Sequence, residues 1–210
     1  MIFIYIAKPC LICASADIFP KERAEYIESA TDAEVKRQRY SSWKLLEAAV
    51  RDCFGLRMNE LKWGVNEQGK WECDKLHFSL SHTDGMVAVA LSERPVGVDV
   101  EGYSAFEKRC ETSPEFGKSF AHRILHSGEK FSDNADLLKL WTQKESIFKC
   151  FGKEVFAPSA LCAEDYPVNC FDYEGFCISV CGSFNGSDVH CFRCEERNGE
   201  YNKGEIITKS

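Results

Sequence analysis

The stretch Gly97-Val98-Asp99-Val100-Glu101 places two carboxylates two residues apart inside a short apolar run. If this run is a β-strand, its side chains alternate between the two faces, so the valines point one way and the carboxylates point the other. Two oxygen ligands on one rigid face, directly after a glycine, suit a hard divalent cation. The stretch therefore predicts a strand that carries part of a cation site.

A second stretch, Trp141-Thr142-Gln143-Lys144-Glu145-Ser146, is predicted to be helical. Trp141, Glu145 and Lys149 recur every four residues, so they lie on one helical face. One interpretation is a solvated surface helix with a Glu–Lys pair. An exposed tryptophan in the same row disfavours it, because large aromatic side chains prefer burial. If the tryptophan packs the helix on the strand, Glu145 approaches the two carboxylates of the strand.

The three acidic side chains would then form one cluster. Uncompensated negative charges in close proximity are costly, and a bound cation removes that cost. Magnesium fits best, because it prefers carboxylate oxygens, keeps several waters and bridges substrate phosphates. The residues therefore favour a metal-dependent enzyme that acts on a phosphorylated substrate.

The stretch Phe78-Ser79-Leu80-Ser81-His82-Thr83 supplies candidate phosphate contacts. A single histidine at the end of a strand is commonly structural. Beside a cation site, however, the Ser81–His82 pair offers hydrogen-bond donors to phosphate oxygens. Lys70, which follows a turn glycine, is a further candidate, although lysine is common at such positions.

The composition restricts the class of partner. The 210 residues carry a formal net charge of −7, whereas a nucleic-acid binder needs a basic surface. The apolar segment 1–7 is short and runs into Lys8-Pro9, which disfavours a signal peptide. No apolar run reaches the roughly 20 residues of a membrane helix. We therefore expect a cytoplasmic protein that associates with neither nucleic acid nor membrane.

The chain contains twelve cysteines, which leaves two further interpretations open. A secreted disulfide framework fits poorly with the lack of an export signal. Structural zinc is the other, because Cys10 and Cys13 form a C-x-x-C pair, and His190, Cys191 and Cys194 form another ligand-like group. Reduced thiols that pack as small apolar side chains are the simpler interpretation.

The order of the predicted elements favours an α+β fold with small antiparallel sheets. Strands are predicted at the N-terminus and over 61–65, 77–81, 86–91 and 96–101. Helices are predicted from a capping box at 31–34 to Gly55, over 116–125 and over 135–151. The tail, 168–207, is predicted to be a meander with turns at 174–175, 185–186 and 198–199.

Taken in order, three of these segments resemble the motifs of the 4′-phosphopantetheinyl transferases, in particular the long single-chain, surfactin-synthetase-activating branch. That family has F-[NS]-L-S-H-[ST], then G-[VI]-D-[VIL]-E, then W-x-x-K-E-[SA]-x-x-K-x-x-G. Here the corresponding segments are 78–83, 97–101 and 141–152, and the last one matches at every fixed position. The resemblance covers roughly residues 36–155.

The resemblance implies two similar α+β halves packed around a pseudo-twofold axis. The halves would be 1–101 and 102–210, and together they would form one compact monomer. The implied activity is transfer of the 4′-phosphopantetheine arm of coenzyme A to a serine of an apo acyl or peptidyl carrier protein. The reaction would release 3′,5′-ADP and require Mg²⁺.

The resemblance also implies roles for the acidic residues and for one lysine. Asp99, Glu101 and Glu145 would hold Mg²⁺ against the pyrophosphate of coenzyme A. Glu145 would also act as general base toward the carrier serine. Lys149, the second lysine of the last motif, would contact the pyrophosphate.

The nucleotide contacts are implied with less detail. Ser81 and His82 would bind the phosphate on the adenosine ribose, with help from Lys70. The family's basic residue early in the long helix has no unambiguous match, so Arg39 and Lys44 are both candidates for nucleotide binding.

Two other functions stay open at this stage. One is a metal-dependent hydrolase of the coenzyme A pyrophosphate, although no glycine-rich phosphate loop supports it. The other is a coenzyme A- or carrier-binding homologue without turnover, in which three converging acids would serve little purpose. The sequence does not indicate which carrier is served.

Overall fold

The computed structural model describes residues 1–11, 13–14, 18–67, 69–152, 156–183 and 189–208. Within these residues, the chain forms ten strands and five α-helices. In chain order they are β1 (Ile2–Ala7), α1 (Lys21–Glu28), α2 (Ala33–Phe54), β2 (Trp63–Val65), β3 (Trp71–Cys73), β4 (His77–Thr83), β5 (Met86–Ser92), β6 (Val96–Gly102), α3 (Tyr103–Thr112), α4 (Pro114–Ile124), α5 (Asn134–Phe151), β7 (Val168–Tyr173), β8 (Phe176–Gly182), β9 (Val189–Arg197) and β10 (Glu200–Thr208).

The strands form a five-stranded sheet in the order β10-β9-β1-β5-β4, a three-stranded sheet in the order β6-β8-β7, and the β2–β3 hairpin. The predicted α+β class is confirmed. The sheets are not wholly antiparallel, however, because β1 and β9 run parallel. Strand pairing also crosses the division predicted at residue 101, since β9 and β10 complete the sheet of β1 and β5.

The tail differs from the predicted meander. Two hairpins, β7–β8 and β9–β10, join different sheets. Their turns at Glu174-Gly175 and Asn198-Gly199 have positive φ at all four residues, as two-residue hairpin turns require. The turn predicted at 185–186 lies outside the described residues.

The two long helices have recognisable ends. Helix α2 is capped by Asp32 rather than by the predicted Thr31, because the Asp32 carboxylate accepts from the backbone N–H groups of Glu34 and Val35. Helix α2 ends at Gly55 and α5 ends at Gly152, both in the left-handed conformation that glycine adopts without strain. Both predicted endpoints are therefore confirmed.

The apolar residues form two layers, one on each face of the five-stranded sheet. Alternate residues of β1 and β5, such as Tyr5 and Val89, pack toward α2. The residues between them, such as Ile4 and Ala90, pack against Val98 and the other apolar residues of the three-stranded sheet. The opposite face of β6, which carries the two carboxylates, is therefore turned toward α5.

No helix in the described ranges is both long and apolar enough to cross a bilayer.

Candidate active site

Helix α5 lies directly on strand β6, and a glycine makes this approach possible. A Cβ atom at Gly97 would lie 2.0 Å from the Ser146 carbonyl oxygen and 2.5 Å from the Cys150 nitrogen, closer than any side chain allows. Because the backbones touch here, Glu145 and Lys149 of α5 reach the carboxylates of β6. The structure thus brings the 97–101 and 141–152 motifs together.

Asp99 lies at the centre of the resulting cluster and is 4% exposed. Its Oδ1 accepts hydrogen bonds from the Ser81 hydroxyl at 2.7 Å and from Lys149 Nζ at 2.6 Å. Its Oδ2 is buried and has no hydrogen-bond partner among the described residues. A buried carboxylate oxygen without a partner is costly, so this atom is suited to a ligand that the chain itself does not supply.

Glu101 and Glu145 complete the acidic cluster. Burial, followed by the negative charge of Asp99, raises the pKa of Glu101 to about 7, even though Thr83 and Trp141 donate hydrogen bonds to it. Burial and Asp99 likewise raise the pKa of Glu145 to about 7, and the charge of Glu101 adds to this shift. The three carboxylates therefore lie close enough to repel one another.

The described residues alone do not complete a metal site. Within the described ranges, no set of three or more His, Cys, Asp or Glu side chains is arranged to hold a metal ion. Lys149 partly compensates the negative charge through its ion pair with Asp99. The donor set still suits Mg²⁺, which usually takes one or two carboxylates and completes its shell with water and substrate phosphates.

The serines of the 78–83 motif join the two sheets. Ser79 and Ser81 of β4 point toward the free edge of β6, where their hydroxyls accept from the backbone N–H groups of Val98 and Val100 at 3.0 and 3.3 Å. Ser81 also accepts from Lys149 Nζ at 3.1 Å while it donates to Asp99. Its hydroxyl is thus engaged within the protein.

His82 lies among positive charges. Desolvation lowers the pKa of His82, and the charges of Lys149, Arg39 and Arg23 lower it further. Of the two candidates on α2, Arg39 is therefore the one near His82. Lys44 instead forms an ion pair with Glu47 on its own helix.

The sequence reasoning missed Arg23, which lies on helix α1. The residue is 5% exposed, and its guanidinium lies 4.8 Å from the ring centre of Tyr26, 4.6 Å from Trp43 and 5.7 Å from Trp71. Desolvation lowers the pKa of Arg23 to about 10, and its Nε has no hydrogen-bond partner among the described residues. This burial becomes evident only in the folded structure, where α1 packs against Trp43 and Trp71, which are distant from it in sequence.

Two cavities flank the cluster. One, of about 250 Å³, lies beside Lys149 and is also lined by Lys70, Trp71 and Phe78. Lys70 is held there because its Nζ donates to the Lys149 carbonyl at 2.5 Å. The other, of about 470 Å³, begins at Glu101 and runs between α3, α4 and α5.

Lys144, the first lysine of the last motif, points away from the cluster. It is fully buried, and its Nζ contacts the carbonyl oxygens of Ile124, Pro158 and Leu161 at 2.6, 3.0 and 2.7 Å. It also forms a buried ion pair with Glu129 at 2.5 Å. Lys144 therefore ties the segments before and after α5 to the helix.

Residues 95–181 match the family model of the 4′-phosphopantetheinyl transferase superfamily. The predicted resemblance is confirmed. The match runs from β6 to β8, so it contains the three acidic residues and Lys149 but not the β4 motif.

Curated relatives carry the same name. The chain is 35% identical over 94 residues to the 4′-phosphopantetheinyl transferase gsp of Aneurinibacillus migulanus, which covers 44% of this chain and 39% of the relative. It is 28% identical over 121 residues to a 4′-phosphopantetheinyl transferase of Bacillus subtilis, covering 54% and 51%. It is 25% identical over 114 residues to 4′-phosphopantetheinyl transferase psf-1 of Bacillus pumilus, covering 53% and 48%. The matches thus span about half the length of these relatives, or less.

Proposed function

We propose that this protein transfers the 4′-phosphopantetheine arm of coenzyme A to a serine of an acyl or peptidyl carrier protein, with Mg²⁺ and with release of 3′,5′-ADP. The observation that carries the proposal is the buried, unpartnered Asp99 Oδ2 in a cluster of three carboxylates beside Lys149. The superfamily match over the same residues supports it. A monomeric state, since one chain supplies all these groups, and the expected cytoplasmic location belong to this proposal.

Asp99, Glu101 and Glu145 would hold the Mg²⁺. When bound, this ion would polarise the pyrophosphate oxygens and stabilise the charge of the departing diphosphate. Lys149 would exchange its ion pair with Asp99 for a contact with a substrate phosphate. Charge neutralisation and positioning of this kind are what phosphoryl-type transfer mainly requires.

The positive charges around His82 would bind the nucleotide part of coenzyme A. The charges of Lys149 and Arg39 act on His82, and Lys70 lies with Lys149 beside the smaller cavity. A locally basic pocket of this kind accounts for an anionic substrate on a chain whose net charge is −7. The larger cavity at Glu101 would leave room for the carrier serine.

Glu145 would act as general base toward the serine hydroxyl, directly or through water. A hydroxyl is a poor nucleophile near neutral pH, so a carboxylate held beside it accelerates the attack. In the metal-free protein the pKa of Glu145 is raised to about 7 by burial and by Asp99. A bound cation would favour its ionised form.

The test is the mass of an apo carrier protein incubated with this protein, coenzyme A and Mg²⁺. We expect a gain of one phosphopantetheine arm on serine for at least one member of a panel of fatty-acid, polyketide and peptide-synthetase carriers. No gain on any carrier, with metal present, would overturn the proposal. Free 4′-phosphopantetheine without a carrier would indicate a hydrolase. Mg²⁺-dependent coenzyme A binding without transfer would indicate a binding protein.

The variant Asp99→Ala is expected to lower the transfer rate by at least about 100-fold, because it removes the central carboxylate of the cluster. Asp165→Asn, which alters an exposed carboxylate elsewhere, is the matched control and should transfer at the normal rate. Transfer by Asp99→Ala at an ordinary Mg²⁺ concentration would contradict the site.

A further inference from the structure

Two thiols outside the carboxylate cluster are in contact on the sheet that carries it. Cys170 of β7 and Cys177 of β8 have their sulfur atoms 3.3 Å apart. They are diagonal neighbours, since Cys170 is opposite Ser179 and Cys177 is opposite Asp172. A disulfide, with its sulfur atoms about 2.05 Å apart, would draw the two strands slightly together, because diagonal positions are spaced near the upper limit of disulfide geometry.

One thiol of the pair is accessible, and charges of both signs lie near the two sulfur atoms. Cys177 is fully buried, whereas Cys170 is half-buried and gives access to the pair. Lys139 Nζ lies 3.2 Å from Asp172 Oδ2. The hydrogen bond with Asp172 raises the pKa of Lys139, and charge on either thiol raises it further, so this ammonium is within electrostatic reach of both sulfur atoms. A neighbouring cation favours the reactive thiolate. The hydrogen bond with Cys177, burial and the charge of Asp172 raise the pKa of Cys170. The hydrogen bond from Cys170 lowers the pKa of Cys177, so Cys177 is the thiolate of the pair.

Cys177 also belongs to the contact between the sheet and α5. It is the register partner of Glu101 on β6. Its sulfur lies 3.1 Å from the hydroxyl of Thr142, which precedes Glu145 by three residues on the same helix. A disulfide would turn this sulfur toward Cys170 and weaken its contact with Thr142. The change would then reach the helix that carries Glu145 and Lys149.

We propose that Cys170 and Cys177 form a reversible dithiol–disulfide site whose oxidation by a peroxide lowers the activity of the adjacent carboxylate cluster. A thiol of the pair attacks the peroxide oxygen, which gives a sulfenic acid and one water molecule. The second thiol attacks the sulfenic sulfur, forms the S–S bond and releases a second water molecule. The two thiols lose two electrons and two protons in total, and hydrogen peroxide is reduced to water. Reduction by a dithiol reverses the bond.

The site is tested by peptide mapping of the native protein after treatment with hydrogen peroxide and alkylation of the remaining thiols. Cleavage after Glu174 separates Cys170 from Cys177. We expect the two resulting peptides to stay joined until dithiothreitol is added, with a mass two hydrogens below that of the reduced pair. Separate peptides, or a bond from either cysteine to a different one, would overturn the site.

The effect on activity rests on the proposed transferase function. Oxidation is expected to slow transfer by at least about fivefold, because small displacements of reacting groups are costly, and dithiothreitol should restore the rate. Cys170→Ser should resist peroxide, whereas Cys162→Ser, a matched half-buried control, should respond like the unaltered protein. Equal rates before and after cross-linking would overturn the regulatory effect. If the reduced protein transfers nothing, the proposed function fails, and the peptide map still decides the site.

Discussion

Glu101 and Glu145 link the acidic cluster to the stability of the protein. Burial and the charge of Asp99 raise the pKa of each from 4.5 to about 7. Between these values, the folded metal-free protein binds more protons than the unfolded chain does. The free energy of unfolding therefore falls as the pH rises through this window.

We expect the melting temperature of the protein in EDTA to be higher at pH 5.5 than at pH 8. Glu145→Gln, whose side chain does not ionise, should reduce this pH dependence, and thermal unfolding followed by circular dichroism would measure it. Glu164→Gln, which alters an exposed carboxylate, is the matched control and should keep the original slope. The same slope in Glu145→Gln as in the unaltered protein would contradict the raised pKa.

Arg39 and Lys44 give a second prediction at the scale of single residues, conditional on the proposed function. Arg39→Ala should raise the KM for coenzyme A by about tenfold with little change in kcat, because a hydrogen bond to a charged group is worth about 1.5 kcal/mol or more. Lys44→Ala is the matched control, since Lys44 pairs with Glu47. Steady-state kinetics would measure both variants, and a larger effect of Lys44→Ala would reverse the assignment.

Single residues were predictable where a periodic pattern aligns them. The alternation of β6 and the four-residue spacing of α5 placed Asp99, Glu145 and Lys149 on facing surfaces. Arg23 gave no such signal, because its burial depends on Trp43 and Trp71, which are distant in sequence. Lys144 was equally unpredictable, since its partners are carbonyl groups of separate loops.

At the scale of elements, the contact between α5 and β6 depends on Gly97. A methyl group there would meet two backbone atoms of α5, and backbone cannot move aside as a flexible side chain can. Gly97→Ala should therefore separate the helix from the strand and lower the free energy of unfolding by about 3 kcal/mol. Urea unfolding would measure this loss.

Gly64→Ala provides the matched control for Gly97→Ala. It also adds a methyl group to a strand glycine, but the nearest atom, Cγ of Glu72, is 4.0 Å away. Gly64→Ala should leave the urea midpoint nearly unchanged. Similar midpoints for the two variants would show that α5 does not lie as close to β6 as the structure has it.

Helices and hairpins were predictable where particular residues, mainly glycines, mark their ends. Gly55 and Gly152 end the two long helices, and the hairpin turns at 174–175 and 198–199 were found from their glycines. Helix α3 was missed because it follows β6 without a break. Its N-cap, Gly102, has no side chain to cap it.

At the scale of the whole molecule, pairing between distant strands joins the two ends of the chain. Strand β1 lies between β5 and β9, and the Tyr201 hydroxyl donates to the Lys8 carbonyl at 2.7 Å. No local pattern predicts such pairing, because the sequence pattern of a strand is the same whichever strand it pairs with. The predicted meander of the tail failed for this reason.

The pairing of β1 with β9 leads to a prediction for the two halves, 1–101 and 102–210, produced as separate fragments. Fragment 1–101 lacks β9, whose buried Cys191 and Phe192 pack on β1 and its neighbours. A cut after residue 101 also leaves nearly all of β6 apart from β8. We expect neither fragment to show a cooperative thermal transition, whereas the full chain should.

Mixing the two fragments supplies the control, because all strands are then present. Partial recovery of a cooperative transition on mixing would agree with sheets completed across the cut. Two independent cooperative transitions, one for each isolated fragment, would contradict the pairing of β9 with β1. In that case, each half would hold its own complete core, and the carboxylate cluster would form between two units that fold separately.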